Sequence, residues 1–259
     1  MIRGVCFDLD GTLGGYAGDF TAFLGLLRAE LMLQACDMNR FASVATAELR
    51  RDGPLTLASA LRRTLERLEM RIPADLEGLA EASARSYAED VRPAPGAEAL
   101  LERLWASRVP MALVSNGPVD MQRAALRALG FEKYFRSVLV SGDQDVAARK
   151  PAPRIFSLAC VGLETLPAET LMVGDDLEAD VVGALDYGLL AVWLTSDLPH
   201  AGSASVTRDP LHAGSSPATR EPREVVAAPV TRDLAGAGSV PVARDLEELG
   251  ALLGERLGV

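Results

Sequence analysis

Residues 6–15 read CFDLDGTLGG, an apolar run that ends on two carboxylates, Asp8 and Asp10, with Gly-Thr behind them. Acids this close repel, so a cation, a shared proton or bulk water has to offset their charge. Polar groups of related chemistry recur along the chain, each at the end of an apolar run or the start of a helical pattern. Ser115-Asn116-Gly117 end the run PMALVS, Lys150-Pro151 precede a helix-like stretch, and Gly174-Asp175-Asp176 end TLMVG with Asp180 beyond. Paired carboxylates can serve as nucleophile and as general acid-base. A hydroxyl, an ammonium and free backbone N–H groups can hold an anion. A cluster of carboxylates calls for a hard, oxygen-ligated cation, for which Mg²⁺ is the natural choice. Singly each residue has a plainer reading: Ser115 as an N-cap, Lys150 as a solvated lysine, Asp175 as a helix cap. They make a site only if the fold brings them together.

The elements that would do so are legible as alternating patterns. Strands are expected at 2–7, 110–115, 137–141, 170–174 and 190–195, each nearly continuous in apolar residues, as strands covered on both faces are. Helices are expected near 96–107, 119–129, 153–161 and 177–187. Such alternation implies right-handed crossovers and a parallel sheet with helices on both sides, whose ligand sits beyond the carboxyl ends of the strands. The polar groups above all fall at that end.

Residues 16–93 break the rhythm. They carry four helical patterns, roughly 19–34, 38–51, 56–70 and 75–90, and no convincing strand, so they read as an inserted all-helical cap. Its return hinge is VRPAPG (91–96), and the glycines at 14, 15 and 18 make the outgoing hinge flexible. Residues 1–15 and 94–259 then form the core domain. Arg50-Arg51 and Arg62-Arg63 read as solvated helix faces rather than an anion site, and Tyr16 and Phe20 as packing residues.

The bulk properties narrow the class. A net charge of −10 without a long basic run argues against a nucleic-acid partner. No apolar run approaches the ~18–20 residues needed to span a bilayer, and the N-terminus has no basic-then-apolar leader. Cys6, Cys36 and Cys160 show no metal-ligand spacing and are odd in number, which fits packed thiols in a reducing, cytoplasmic setting. A monomer or homodimer is expected.

From Gly202 the chain repeats every twelve residues: GSASVTRDPLHA, GSSPATREPREV, VAAPVTRDLAGA, GSVPVARDLEEL. The last copy runs into GALLGERLG, where Asp245 and Glu248 have capping-box-like spacing, so it reads as the domain's own last turn. The first three, 202–237, read as a tandem-repeat insertion forming a disordered surface loop, whose removal should change stability and rate little.

Taken in order, DLDGT, SN, KP and GDDLEAD resemble the four motifs of the haloacid dehalogenase-like hydrolase superfamily. An EF-hand reading of the first motif fails, because no further acidic ligands follow at the required spacing. The resemblance covers about 1–15 and 94–195, with the terminal strand and helix after 240, and implies a Rossmann-like three-layer α/β core with a parallel sheet. It implies Asp8 as a nucleophile that becomes an aspartyl-phosphate, and Asp10 as general acid and then base. Ser115, the Asn116 N–H and Lys150 would bind the phosphoryl oxygens. Mg²⁺ would bind the Asp8 carboxylate, the Asp10 carbonyl and the Asp175 carboxylate, with Asp176 and Asp180 holding waters or Lys150, and Thr12 supporting the turn after Asp10. The second aspartate argues against a dehalogenase, and a segment 16–93 without Lys or His argues against phosphonate hydrolysis and sugar-phosphate mutation. The resemblance therefore implies a phosphomonoester hydrolase acting on a small phosphorylated metabolite. The alternative from another class is a Mg²⁺-binding regulator or scaffold with the repeat tail as its partner-binding arm. One departure stands out: where the family often has an acid shortly after the first motif, this chain has GGYAGDF, with Asp19 the nearest.

Overall fold

Apolar side chains at alternate strand positions divide between two buried clusters. In β1 (Gly4–Phe7), Val5 and Phe7 face one side and Cys6 the other; Leu113 opposes Ala112 and Val114 in β4 (Met111–Ser115) in the same way. Both faces of the sheet are therefore covered, which is why these strands lack polar alternation. The computed structural model describes residues 1–33, 36–195, 231–234 and 238–257. The remaining strands are β2 (Gly14–Tyr16), β3 (Val91–Pro93), β5 (Ser137–Val140), β6 (Thr170–Gly174), β7 (Leu190–Leu194), β8 (Thr231–Leu234) and β9 (Gly238–Ala243). The main sheet has the order β5-β4-β1-β6-β7-β9-β8, parallel from β5 to β9, with β8 antiparallel at the edge. Strand order reverses at β1, which lies between β4 and β6, so its carboxyl end sits at the switch point where α/β sheets bind ligands. Helices α5 (Ala97–Ala106), α6 (Val119–Ala128) and α9 (Leu246–Leu257) join one apolar cluster, and α7 (Pro153–Leu163) and α8 (Gly183–Tyr187) the other.

Four helices lie between β2 and β3: α1 (Phe20–Glu30), α2 (Met38–Leu49), α3 (Leu57–Arg67) and α4 (Leu76–Glu89). Each starts where a short polar side chain satisfies a free backbone N–H. Asp19, Asp37, Thr56 and Asp75 accept from Thr21, Arg40, Ser59 and Gly78. Asp19, the displaced acid after the first motif, is thus the cap of α1. The helices share their apolar cluster with the sheet, and the segment between α2 and α3 is bonded to the chain just beyond β5 and to the start of α6: Leu55 N–H donates to Gly142 O at 2.8 Å, and Val119 N–H to Leu55 O at 2.9 Å.

Three expectations change. The inserted segment is not entirely helical, because β2 and β3 pair antiparallel with Gly14 opposite Pro93 and Tyr16 opposite Val91. A Cβ at Gly14 would come within 2.7 Å of Arg92 O, so the glycine serves a close strand approach rather than a loose hinge. The helix expected at 177–187 opens as a π-helical turn over Leu177–Val182 before α8. Finally, Thr231–Leu234, in the third repeat copy, is a strand paired with the fourth copy, Arg232 opposite Val240. An edge strand leaves backbone groups open, and the preceding copy supplies them with partners; deleting 202–237 would remove that strand. The other repeat residues, with His200 and His212, lie outside the described residues.

Arginines read as solvated find an anion of their own. The Glu48 side chain is 1% exposed and meets Arg63 at 3.1 Å, Arg67 at 2.9 Å and Arg51 at 3.7 Å, while Arg62 pairs with Glu77 at 2.9 Å. The guanidiniums remain partly hydrated, which reduces what the cluster contributes. Glu48→Ala should lower stability by about 1–2 kcal/mol in denaturant unfolding, with the loss shrinking at high salt.

Candidate active site

Register brings the polar groups together. Phe7 pairs with Leu113 on one side and Val173 on the other, so the residues following β1, β4 and β6 emerge side by side. Asp8 N–H donates to Val173 O at 3.0 Å, which holds the first carboxylate between Ser115 and Asp175. Lys150, two per cent exposed at its side chain, reaches Asp8 Oδ1 and Asp180 Oδ1, each at 2.6 Å from Nζ. Asn116 holds that lysine from behind: its Nδ2 donates to Lys150 O at 3.0 Å, and its Oδ1 accepts Lys150 N–H at 2.9 Å. The side chain of Asn116 thus positions Lys150, a part that its place in the sequence did not disclose.

The acids after β6 separate into different tasks. Asp175 accepts from Thr12 Oγ1 at 3.3 Å, and its carbonyl accepts Trp193 Nε1–H at 2.9 Å. Asp180 Oδ2 accepts Asp176 N–H at 3.1 Å, an approach open only because residue 174 is glycine; a Cβ there would lie 2.2 Å from that oxygen. Asp176 turns away: its Oδ1 caps the π-helical turn by accepting from Glu178 and Ala179. Oxygens of Asp8, Asp175 and Asp180 lie within 4.8 Å of one another, and Asp176 is not part of that group.

Asp10 sits in a separate hydrogen-bonded chain. Ser115 Oγ donates to Gln122 Oε1 at 2.7 Å, and Gln122 Nε2 donates to Asp10 Oδ2 at 2.9 Å. Tyr87, from α4, lies near enough to the same carboxyl group for each to shift the other's titration. Burial, with Asp8 adding repulsion and Gln122 opposing, pushes the Asp10 carboxyl up to about 6. Neither Gln122 nor Tyr87 is singled out by the sequence. Gln122 lies one helical turn into α6 and Tyr87 in the inserted helices, each looking like an ordinary amphipathic-helix residue.

Comparison with known proteins bears on this arrangement directly. The description haloacid dehalogenase-like hydrolase matches residues 2–188. The chain belongs to that family. Ribulose-1,5-bisphosphate 5-phosphatase of Halopiger xanaduensis is 34% identical over 206 residues, 74% of this chain and 84% of that protein. Phosphoglycolate phosphatase of Salmonella typhi is 32% identical over 208 residues, 75% of this chain and 81% of its own. The crystal structure of a HAD phosphatase from Thermococcus onnurineus superposes with a TM-score of 0.60 at 28% identity, covering 74% of this chain and 86% of that one. These relatives put the chain in the phosphatase branch of the haloacid dehalogenase-like hydrolases.

The carboxylate group of this hydrolase fits a divalent cation. Its donors are all oxygens, and the group holds three acids to one ammonium, which pairs with Asp8 and Asp180. Burial first, then repulsion from Asp8 and Asp180, raises the Asp175 carboxyl well above the usual carboxylate range. Asp180 is raised chiefly by burial, against the pull of Lys150. Lys150 is itself raised by the acids it faces, which outweigh its burial. Acids with raised folded pKa bind more protons folded than unfolded, so in chelator-treated protein their stabilising contribution is complete below about pH 4 and is lost as pH rises toward neutrality. Melting temperature should therefore fall across that window, and Asp175→Asn should flatten the fall. A cleft of about 550 Å³ lined by Trp105, Met111 and Lys133 lies at the opposite, amino-terminal end of β4 and holds none of these residues.

Proposed function

We propose that this phosphatase hydrolyses a small phosphorylated metabolite through an aspartyl-phosphate on Asp8, with Mg²⁺ as its metal. The observation that carries the reading is the pair of 2.6 Å contacts from Lys150 Nζ to Asp8 and Asp180, with Asp10 two residues on and its Oδ2 held by Gln122. Asp8 is in place to attack phosphorus, and Lys150 to neutralise the charge gathered there. As the bond from phosphorus to the ester oxygen breaks, Asp10 hands its proton to that oxygen. Asp10, now a carboxylate, takes a proton from the water that cleaves the aspartyl-phosphate, and inorganic phosphate leaves with Asp8 restored. The Asn116 backbone N–H is the donor for the phosphoryl oxygens; the single proton of the Ser115 hydroxyl goes to Gln122 Oε1, so Ser115 orients that amide instead of taking the phosphate-binding part expected of it. Asp8, Asp175 and the Asp10 carbonyl would hold the metal, with Asp180 beside them, and the bound ion supplies charge neutralisation between nucleophile and phosphate.

In this reading residues 16–93 form a cap domain on a core of 1–15 and 94–259, and the β2–β3 ribbon is where the two join. Tyr87, carried by the cap and buried, lies beside Asp10, so in this reading the cap lies over the site and must lift to admit substrate. By their names the relatives act on ribulose-1,5-bisphosphate and phosphoglycolate, which supports a small phosphorylated compound as substrate. Three buried free cysteines fit a cytoplasmic protein. The test is hydrolysis of p-nitrophenyl phosphate and a panel of phosphorylated metabolites, with Mg²⁺ and after chelation. Turnover with Mg²⁺ that disappears on chelation and returns on adding the ion is expected; turnover indifferent to chelation defeats the metal assignment.

A further inference from the structure

Asp10 is fixed by two residues that lie outside the four motifs, one from the core and one from the inserted helices. Gln122 is buried, as are Ser115 and Tyr87, so none of the three can exchange its partner freely for water. The direction of the chain matters. The Ser115 hydroxyl donates to Gln122 Oε1, which orients the amide so that Nε2–H points at Asp10 Oδ2. An oxygen that accepts an amide N–H is the poorer seat for a proton, so the acidic proton belongs on Asp10 Oδ1. That oxygen is buried and makes no well-formed hydrogen bond to protein. From the other side, the Tyr87 ring is braced beside Asp10: it stacks on Tyr16 at 4.9 Å and 8°, and meets Phe23 edge-on at 5.4 Å. Tyr16 belongs to β2 and Phe23 to α1, so ribbon and inserted helices both steady this contact.

We propose that Gln122, assisted by Tyr87, is the positioning residue that reserves Asp10 Oδ1 for delivery of the proton to the leaving oxygen. The inference rests on Asp10 being the general acid. In the step concerned, an oxygen of Asp8 bonds to phosphorus, the ester bond breaks, and the proton on Oδ1 passes to the departing oxygen, leaving Asp10 ionised with Oδ2 still held by Gln122. Tyr87 makes the arrangement depend on the inserted helices lying over the site, so proton delivery is assembled only in the covered enzyme.

The experiment compares two esters in the presence of Mg²⁺: p-nitrophenyl phosphate, whose leaving group departs without a proton, and glycerol 2-phosphate, whose alkoxide needs one. In Gln122→Leu, kcat/KM should fall about 100-fold on glycerol 2-phosphate and by less than about 5-fold on p-nitrophenyl phosphate. Tyr87→Phe, which keeps the ring in its stack, should show the same split at about 10-fold on the alkyl ester. A merely structural role lowers both esters alike, and that result, or no loss at all, overturns the proposal. Should Gln122→Leu fail to fold, Tyr87→Phe decides by the same criterion. Asp10→Asn serves as the control. If it shows no dependence on the leaving group, the acid assignment itself fails; if it does and Gln122→Leu does not, only the role of Gln122 fails.

Discussion

Replacing Asp8 with Asn should lower kcat on p-nitrophenyl phosphate by on the order of 10⁴-fold or more, with melting temperature little changed. The amide is nearly isosteric with the carboxylate, so the backbone hydrogen bond from residue 8 to Val173 O persists. It is not nucleophilic, however, and no neighbouring group can replace it. Asp175 and Asp180 are the nearest acids, but Asp180 is tied to Lys150 and to Asp176 N–H. Losing one of three crowded carboxylates also relieves repulsion, so the variant should be no less stable than wild type in chelator-treated protein at neutral pH. Rapid-quench measurement with radiolabelled phosphate ester should find acid-stable label on the wild-type protein and none on the variant. Label retained on the variant would assign the nucleophile elsewhere.

Lys150→Met should have the second largest effect, and on two observables. The ammonium faces Asp8 and Asp180 at 2.6 Å in a buried setting, where one preorganised charge contributes far more than in water. Its loss should reduce kcat/KM by about 100- to 1,000-fold. It also leaves two buried carboxylates without their cation, a change that costs about 3 kcal/mol or more when the groups are ionised. The sign with pH follows. Without Lys150 the acids hold protons more tightly, so the variant's deficit in stability should be small near pH 5 and grow toward pH 8. Thermal unfolding of chelated protein at both pH values checks this; a deficit independent of pH would mean the lost packing of the side chain dominates. Arginine is not a conservative replacement, since a planar fork cannot enter the space of a point charge held between two oxygens.

These effects concern residues that were readable without coordinates, and the reason is local. Asp8, Ser115 and Asp175 each follow an uninterrupted apolar run, and a strand buried on both faces has to end where the first uncompensated polar group appears. Helix starts at Asp19, Asp37 and Asp75 are equally local, because an N-cap acts within three residues of itself. The parallel sheet followed from alternation of element types, and the convergence of the polar groups on one end followed from the sheet being parallel.

What depended on tertiary structure is pairing between distant segments. Three-residue strands such as β2 and β3 have too little periodicity to stand out, and exist because Gly14 lets Arg92 O approach across 77 intervening residues. The edge strand β8 forms because β9 offers it open backbone groups, not because TRDL has strong strand character. Asp176 and Asp180 look interchangeable in GDDLEAD, yet the π-helical turn aims one at the backbone and the other at Lys150. Gln122 and Tyr87 lie 112 and 77 positions from Asp10, and each carries the plain signature of a helix residue. Sequence by itself determined which groups could do chemistry and which end of the sheet would carry them, since that information sits in short stretches governed by local hydrogen bonding and burial. Only the folded chain decided which of those groups share an oxygen, a proton or a cation, because side-chain partners separated by a hundred residues are set by the packing of whole elements.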